Sequence, residues 1–400
     1  MALPGASAGP AGWAERAGAA EAAVLSRSVG RVWTVPGTAL GAVRSPDRPG
    51  LPGLGRWHFW WQAHLLDAAV DALDRAGGAA RARRVEAIVA GIRLRNGVLW
   101  HNDYLDDLGW LALALQRAGT LAGPAGHRAV QIITARLGAA WTTDDLGGLP
   151  WRRGDEFRNA PANGPAAILL ARRHCPDPAE RIADWLHARL TRPDGLIADG
   201  IRADGRVEPT AYTYNQGVVL GADLALLRAG RSDAGRIHRL VRAIDAGLTR
   251  PVGAGPAGGR RVLVSHGGGD GGLFGGILAR YLALVATELP GRNQVDRACR
   301  ATAGRLVLDS AAAAWAHRGT DAAGPWFSAD WSVPARLPAP DRRRRGPSSV
   351  KPNAVEAVLP EQDLSVQLGG WLLLEAAARV EARREDPGPT GRTAHRGEQG

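Results

Sequence analysis

The feature that most constrains this chain is the recurrence of apolar residues at spacings of three and four along nearly its whole length, interrupted by Gly, Pro and Asp-Gly. That period belongs to the α-helix, where residues three and four apart share one face. It predicts about twelve helices, at roughly 11–29, 58–76, 80–95, 105–118, 127–141, 158–174, 178–190, 214–229, 233–248, 273–288, 294–317 and 363–383. Strand candidates are few: the turn-rich PDGLIADGIRADG at 193–205 and RVLVSH at 261–266. About a dozen helices on short links fit an open solenoid or a closed toroid of helical hairpins. A solenoid carries a fixed-period repeat, and none is visible, so the expectation is all-α and toroidal. Residues 1–383 are expected to form one domain, with the proline-rich 334–360 as a mobile loop and 384–400 as a disordered tail.

Charge and cysteine usage remove several classes of function. The formal charge of +11 is almost wholly arginine, since Lys351 is the only lysine. These arginines are scattered among Ala and Gly, and the one dense run is Arg342 to Arg345, so no nucleic-acid partner is expected. Cys175 and Cys299 lie far apart without CxxC or Cys/His spacing, which encodes neither a disulfide framework nor a zinc site. The opening MALPGASAGPAGWAERAG lacks a basic start followed by an apolar run, and no stretch of about 18 apolar residues exists. A cytoplasmic protein without a transmembrane segment or cofactor is the expectation; the oligomeric state is not encoded.

Five stretches carry chemistry-bearing residues. NDYLDDLGW at 102–110 sets Asp106 beside Asp107 in a segment whose stripe of Leu105, Leu108, Ala112 and Leu115 otherwise reads as a buried helix. One Asp could cap that helix while the other sits in its first turn. Alternatively, the pair does acid/base or nucleophilic work on a glycosidic bond, where the environments of two carboxyl groups push their pKa values apart. RWHFWWQAH at 56–64 holds Trp57, Trp60, Trp61 and His64, which cannot all face one side of a helix; those pointing from the core would be stacking platforms for ring-shaped ligands. FRNAPANG places Asn159 and Asn163 four apart on one face, and AYTYNQG opens a helix with Tyr212, Tyr214, Asn215 and Gln216. HGGGDGG at 266–272 satisfies GxGxxG, but residues 290–317 continue as helix where a dinucleotide fold needs a strand. Its glycines are expected to let backbone pass close to a ligand or another helix, with Asp270 as the loop's only charge.

Taken in order, WHFWWQAHLLD, YLDDLGWLALAL, GGLPWRRGDEFRNAPANGPAAILLARR, DGLIADGI, TYNQGVVLGADLALL and GGDGGLFGGILARYL resemble glycoside hydrolase family 76, the α-1,6-mannanases and their relatives. The resemblance runs from about 56 to 289 and more weakly to the helix near 363–380. It implies an (α/α)6 barrel and retaining hydrolysis of α-1,6-mannosidic bonds, with Asp106 as nucleophile and Asp107 as acid/base. It places Trp110, Asn159, Asn163, Tyr214, Asn215, Gln216 and Asp270 in the glycan cleft, to which Trp60 of the aromatic run is added as a stacking platform. The implied partner is an α-mannan oligosaccharide or a mannose-containing glycolipid; a transglycosylase and a non-catalytic glycan-binding barrel are the alternatives. The chain departs from the family at Arg158, where lysine is commoner, and at Pro161, which could shift Asn159 relative to Asn163.

Overall fold

The computed structural model describes residues 12–45, 57–253, 259–338 and 359–385. The Arg342 to Arg345 run, most of the 334–360 stretch and the tail beyond 385 lie outside the described residues. Twelve α-helices occur among them. The first six are α1 (Trp13–Ser28), α2 (Phe59–Ala76), α3 (Ala79–Arg95), α4 (Leu105–Ala118), α5 (Gly123–Ala139) and α6 (Ala160–Arg172). The others are α7 (Pro176–Leu190), α8 (Thr213–Arg228), α9 (Gly235–Gly247), α10 (Gly271–Glu288), α11 (Gln294–Ala316) and α12 (Leu364–Glu385).

The even-numbered helices pack each against the next, and α12 returns to α2, closing an inner ring of six. The odd-numbered helices lie outside it, each against one or two inner neighbours. Sequence composition sorts the two sets. In α6 every residue from Ala160 to Ala171 is buried, and α12 is buried almost throughout, as expected of helices apolar on all sides. In α9, by contrast, Ile237, Leu240, Val241 and Ile244 form one stripe among arginines, so it covers the ring with one face and meets water with the other. This is the (α/α)6 barrel.

Ring closure demands close backbone approach, and glycine supplies it. A Cβ at Gly369 of α12 would fall 2.1 Å from the Gly272 carbonyl oxygen of α10. Between α6 and α8, a Cβ at Gly164 would lie 2.4 Å from a Val218 methyl. The interior of the ring is polar below the site. Asp67 and Asp71 of α2 are held by Arg117 of α4 and by Arg280 of α10, all four side chains being largely buried. Because α12 separates α2 from α10 in the ring, the Arg280 pairs span its interior. At the seam where α12 meets α2, Arg75 bonds Glu375 at 2.8 Å and Glu21 of α1 at 2.9 Å, and Arg81 of α3 also bonds Glu21.

Short antiparallel strands decorate the loops: β1 (Val29–Gly30) with β2 (Leu40–Gly41); β3 (Arg158–Asn159) with β4 (Gly200–Ile201), and β4 with β5 (Val207–Glu208). Two further hairpins pair β6 (Thr249–Val252) with β7 (Arg260–Leu263), and β8 (Gly319–Asp321) with β9 (Gly324–Trp326). The helix expected at 158–174 starts at 160, because Arg158 and Asn159 pair as strand with Ile201 and Gly200. Pro161 falls in the first turn of α6, where no intrahelical N–H is required, and the Asn159 cap is kept. The GxGxxG stretch opens α10 from a turn in which Gly267 and Gly269 have positive φ, and Gly272 abuts the Val366 backbone of α12.

Gly369→Ala is expected to force α10 and α12 apart and to lower unfolding free energy by about 2–3 kcal/mol. Urea denaturation followed by circular dichroism measures this; an unchanged midpoint would mean that the interface can relax.

Candidate active site

The first turns of the inner helices meet at one end of the barrel. Contacts between residues that open them establish this: Trp61 of α2 donates from Nε1 to Asp270 before α10 at 2.8 Å, and Trp110 of α4 lies 6.5 Å from Tyr214 of α8. The Tyr214 ring stacks on Phe274 of α10 at 3.9 Å and 9°. The Gly269 N–H donates to Asp363, which precedes α12, at 2.9 Å. With several helix N-termini at one mouth, their partial positive charge favours anionic groups there.

Asp106 and Asp107 occupy the first turn of α4, whose N-cap is Tyr104 with no side-chain capping bond. Capping therefore does not account for the pair. Both carboxyls are half-buried. Asp106 accepts from the Trp151 indole N–H at 3.0 Å and from the Asp107 backbone N–H at 2.9 Å. Asp107 accepts from Asn102 Nδ2 at 2.6 Å. Burial pushes the Asp106 carboxyl up to about 7 against the pull of those donors, with the Asp270 charge adding to the rise. Asp107 is raised well above the usual carboxylate range, by burial first and by the Asp106 charge second. Both carboxyls therefore hold their protons to higher pH than ordinary carboxylates, and a charge on one raises the other. The better-donated partner, Asp106, keeps the negative charge more readily, and Asp107 keeps the proton.

Aromatic rings line the ground beside the pair. Trp60 meets His64 edge-on at 5.4 Å and lies 6.3 Å from Phe274, while His64 packs 4.8 Å from Trp110. Tyr212 meets both His266 and Phe274 edge-on, and the Thr213 N–H donates to His266 Nε2 at 3.2 Å. That bond requires an unprotonated Nε2, so His266 is neutral with its proton on Nδ1. Burial lowers the His266 pKa in agreement, and buried His64 is depressed further, with the Arg280 charge adding to the effect. Flat faces edged by carboxylates and imidazoles suit a hydroxyl-rich ring.

The structure brings Asp106, Asp107, Trp60, Trp110, Tyr214 and Asp270 to this mouth, with Asp270 exposed on its glycine-rich turn. It turns Asn163 and Gln216 inward, out of reach of a ligand. Asn163 is 0% exposed, its amide bonded to the N–H and carbonyl of Leu149 and to the Asn159 carbonyl. Gln216, also 0% exposed, bonds both backbone groups of Ile197 and the Tyr212 carbonyl. Each anchors a rim loop to an inner helix. Asn159 is also buried and caps α6, accepting from the Ala162 N–H at 3.2 Å. Asn215 is buried, donating to Asp199 at 3.0 Å while its Oδ1 has no hydrogen-bond partner among the described residues.

Sequence reasoning missed Asn102, Trp151, Asp199, Phe274 and His266 as parts of this site. All five stood inside stretches quoted above, but nothing in their spacing showed that loop 149–157 folds back over α4 or that these side chains meet. Among the described residues, no group of three or more His, Cys, Asp or Glu is placed to hold a metal ion, and no helix is long and apolar enough to cross a membrane.

The model of glycosyl hydrolase family 76 matches residues 26–339. The α-1,6-mannanase GH76A of Salegentibacter sp. HEL1_6 is 26% identical, superposes with a TM-score of 0.70, and is matched over 92% of this chain and 99% of its own. An inactive variant of that enzyme, with two consecutive aspartates replaced by alanine, was solved with α-1,6-mannotetrose and gives a TM-score of 0.71 at 26% identity, over 92% of this chain and 100% of its own. A Listeria innocua protein, 23% identical over 93% of this chain and 99% of its own, shares the fold with a TM-score of 0.73. A search of curated proteins gave no match.

Holding two ionisable carboxyls in a half-buried site opposes folding once they lose their protons. Their folded pKa values lie above the unfolded value of about 4, so the stability linked to the pair is complete below that pH; the part due to Asp106 is lost as pH rises through about 7, and the part due to Asp107 is lost as pH rises through its own raised value. Asp107→Asn is therefore expected to be more stable than the native protein at pH 8 by about 1 kcal/mol, with the gain vanishing near pH 4. Thermal melts across that pH range check the sign; a variant less stable at pH 8 would contradict it.

Proposed function

Because the chain belongs to glycosyl hydrolase family 76, we propose that it hydrolyses α-1,6-mannosidic bonds by a retaining double displacement, with Asp106 as nucleophile and Asp107 as acid/base. One observation carries the assignment of roles: the two carboxyls are both raised, but they are unequally supplied with donors. Trp151 Nε1 and the Asp107 N–H stabilise the Asp106 anion, whereas Asp107 has one donor, from Asn102, and faces its neighbour's charge. Further support comes from the Salegentibacter enzyme, whose inactive variant lacks two consecutive aspartates.

In the first step Asp106 attacks the anomeric carbon while Asp107 gives its proton to the departing glycosidic oxygen. Loss of that proton leaves Asp107 as the base that activates water. As Asp106 becomes an ester, its charge disappears and Asp107 loses the repulsion that raised its pKa. The pair's proximity therefore tunes Asp107 as an acid in one step and as a base in the next. Trp60 and Tyr214 provide faces for the sugar rings, with the buried Trp110 packed behind them, and Asp270 an acceptor for hydroxyls. The substrate is an α-1,6-linked mannose chain, free or carried on a glycolipid.

The test is incubation of the protein with α-1,6-mannotetraose while products and their anomeric configuration are followed by proton NMR. Asp106→Asn is expected to reduce turnover by roughly 10⁴-fold or more. Asp107→Asn should lose about 10²–10⁴-fold on the oligosaccharide but far less on an aryl mannoside, whose leaving group needs no proton. Inverted product would exclude the covalent step; equal losses on both substrates would exclude Asp107 as the acid.

Trp151→Phe removes one donor from Asp106 without touching its charge. The acid limb of the rate profile is expected to move to higher pH, because an Asp106 with fewer donors ionises later. An unmoved limb would show that Trp151 does not tune the nucleophile.

A further inference from the structure

Exposed apolar side chains lie in the segments that lead into α2 and α4, the helices that carry Trp60 and the Asp pair. Val98 and Leu99, in the loop between α3 and α4, are 57% and 61% exposed, and Trp33 and Val35, before α2, are 39% and 38% exposed. These are among the most exposed large apolar side chains of the described residues. Both groups flank the end of α3: the Arg95 guanidinium lies 5.9 Å over Trp33 and 5.4 Å over Trp57, and the Val98 N–H donates to the Arg93 carbonyl at 2.9 Å. Trp33, Thr34 and Val98 have φ of 46°, 63° and 58°, a strained region for bulky or β-branched residues. The Asn96 amide clamps the 96–101 turn by donating to the Leu99 and His101 carbonyls at 3.1 and 2.9 Å. Strained backbone is thus holding apolar side chains outward.

The charge around the patch is basic. Arg31 and Arg93 are exposed and have no ion pair among the described residues, whereas the nearby carboxylate Asp103 is engaged by Arg153 at 2.7 Å. Exposed Trp, Val and Leu framed by free arginines match an anionic lipid surface, into which Trp and aliphatic tips partition while guanidinium groups meet phosphates. We propose that this rim docks on an anionic lipid bilayer, presenting the catalytic mouth to mannose chains anchored in that bilayer. The second half rests on the glycosidase reading; the docking itself does not.

Flotation of the full chain with vesicles of equal parts phosphatidylcholine and phosphatidylglycerol, and with phosphatidylcholine alone, tests docking without any glycan. The native protein is expected to float with the mixed vesicles and to remain in solution with phosphatidylcholine. Arg31→Gln should weaken binding roughly fivefold, and Leu99→Ser with Trp33→Ser by at least about tenfold, with turnover of soluble mannotriose unchanged. No flotation of the native protein, variants that bind as tightly as the native chain, or equal binding to both vesicles would overturn the proposal. So would light scattering that shows a dimer abolished by Leu99→Ser, which would assign the patch to a second copy. None of these outcomes bears on whether soluble mannotriose is cleaved, so failure of docking and failure of the glycosidase reading are separable.

Discussion

Closure of the inner ring governs the rest of this molecule. Six helices packed side by side around an axis must approach one another at backbone distance, which is why Gly369 faces the Gly272 carbonyl and Gly164 faces Val218. Each inner helix is followed by an outer one that carries the chain back, so successive inner helices run the same way and their first turns share one end. The site is a consequence of that direction. Asp106 and Asp107, Trp60 and Trp61, Tyr214, and Asp270 all lie in or just before the first turn of a different inner helix, and they meet only because the ring closes.

Burial of the Asp pair works against folding and toward chemistry at once. A half-buried carboxyl with few donors holds its proton to higher pH, and a second carboxyl beside it keeps the two from ionising together. The neighbouring aromatic rings contribute the low-polarity surroundings, and Trp151 and Asn102 set the inequality between the two. The Asp67, Asp71, Arg117 and Arg280 cluster beneath carries its charges in balanced pairs instead. The interior therefore changes from paired charge below to strained charge at the mouth.

The helical count was legible in the sequence because it depends on local spacing, and the Asp pair stood out because its members are adjacent; closure of the ring, which rests on α12 meeting α2, came from the missing repeat and the family resemblance. The amides were not. Asn163 and Gln216 have the composition of ligand-binding residues, but their partners are Leu149 and Ile197, on loops whose positions only the tertiary fold determines. Trp151 and Asn102 were invisible for the same reason: a donor to Asp106 can come from any loop that crosses the mouth. The start of α6 was misplaced by two residues because strand pairing with Gly200 and Ile201 overrode helical periodicity at Arg158 and Asn159.

The seam between α12 and α2 has a consequence for how the chain reaches this state. Glu375 on α12 reaches Arg75 on α2 and, through it, Glu21 on α1, so the ring is locked by contacts separated by about three hundred positions. Every earlier neighbour pair can form as its segment emerges from the ribosome, but this one cannot. Until α12 docks, the unfinished arc exposes apolar flanks of α2 and α10 and has an incomplete mouth. Assembly of the cleft thus waits for α12, and the contacts that complete the site are among those of longest sequence separation.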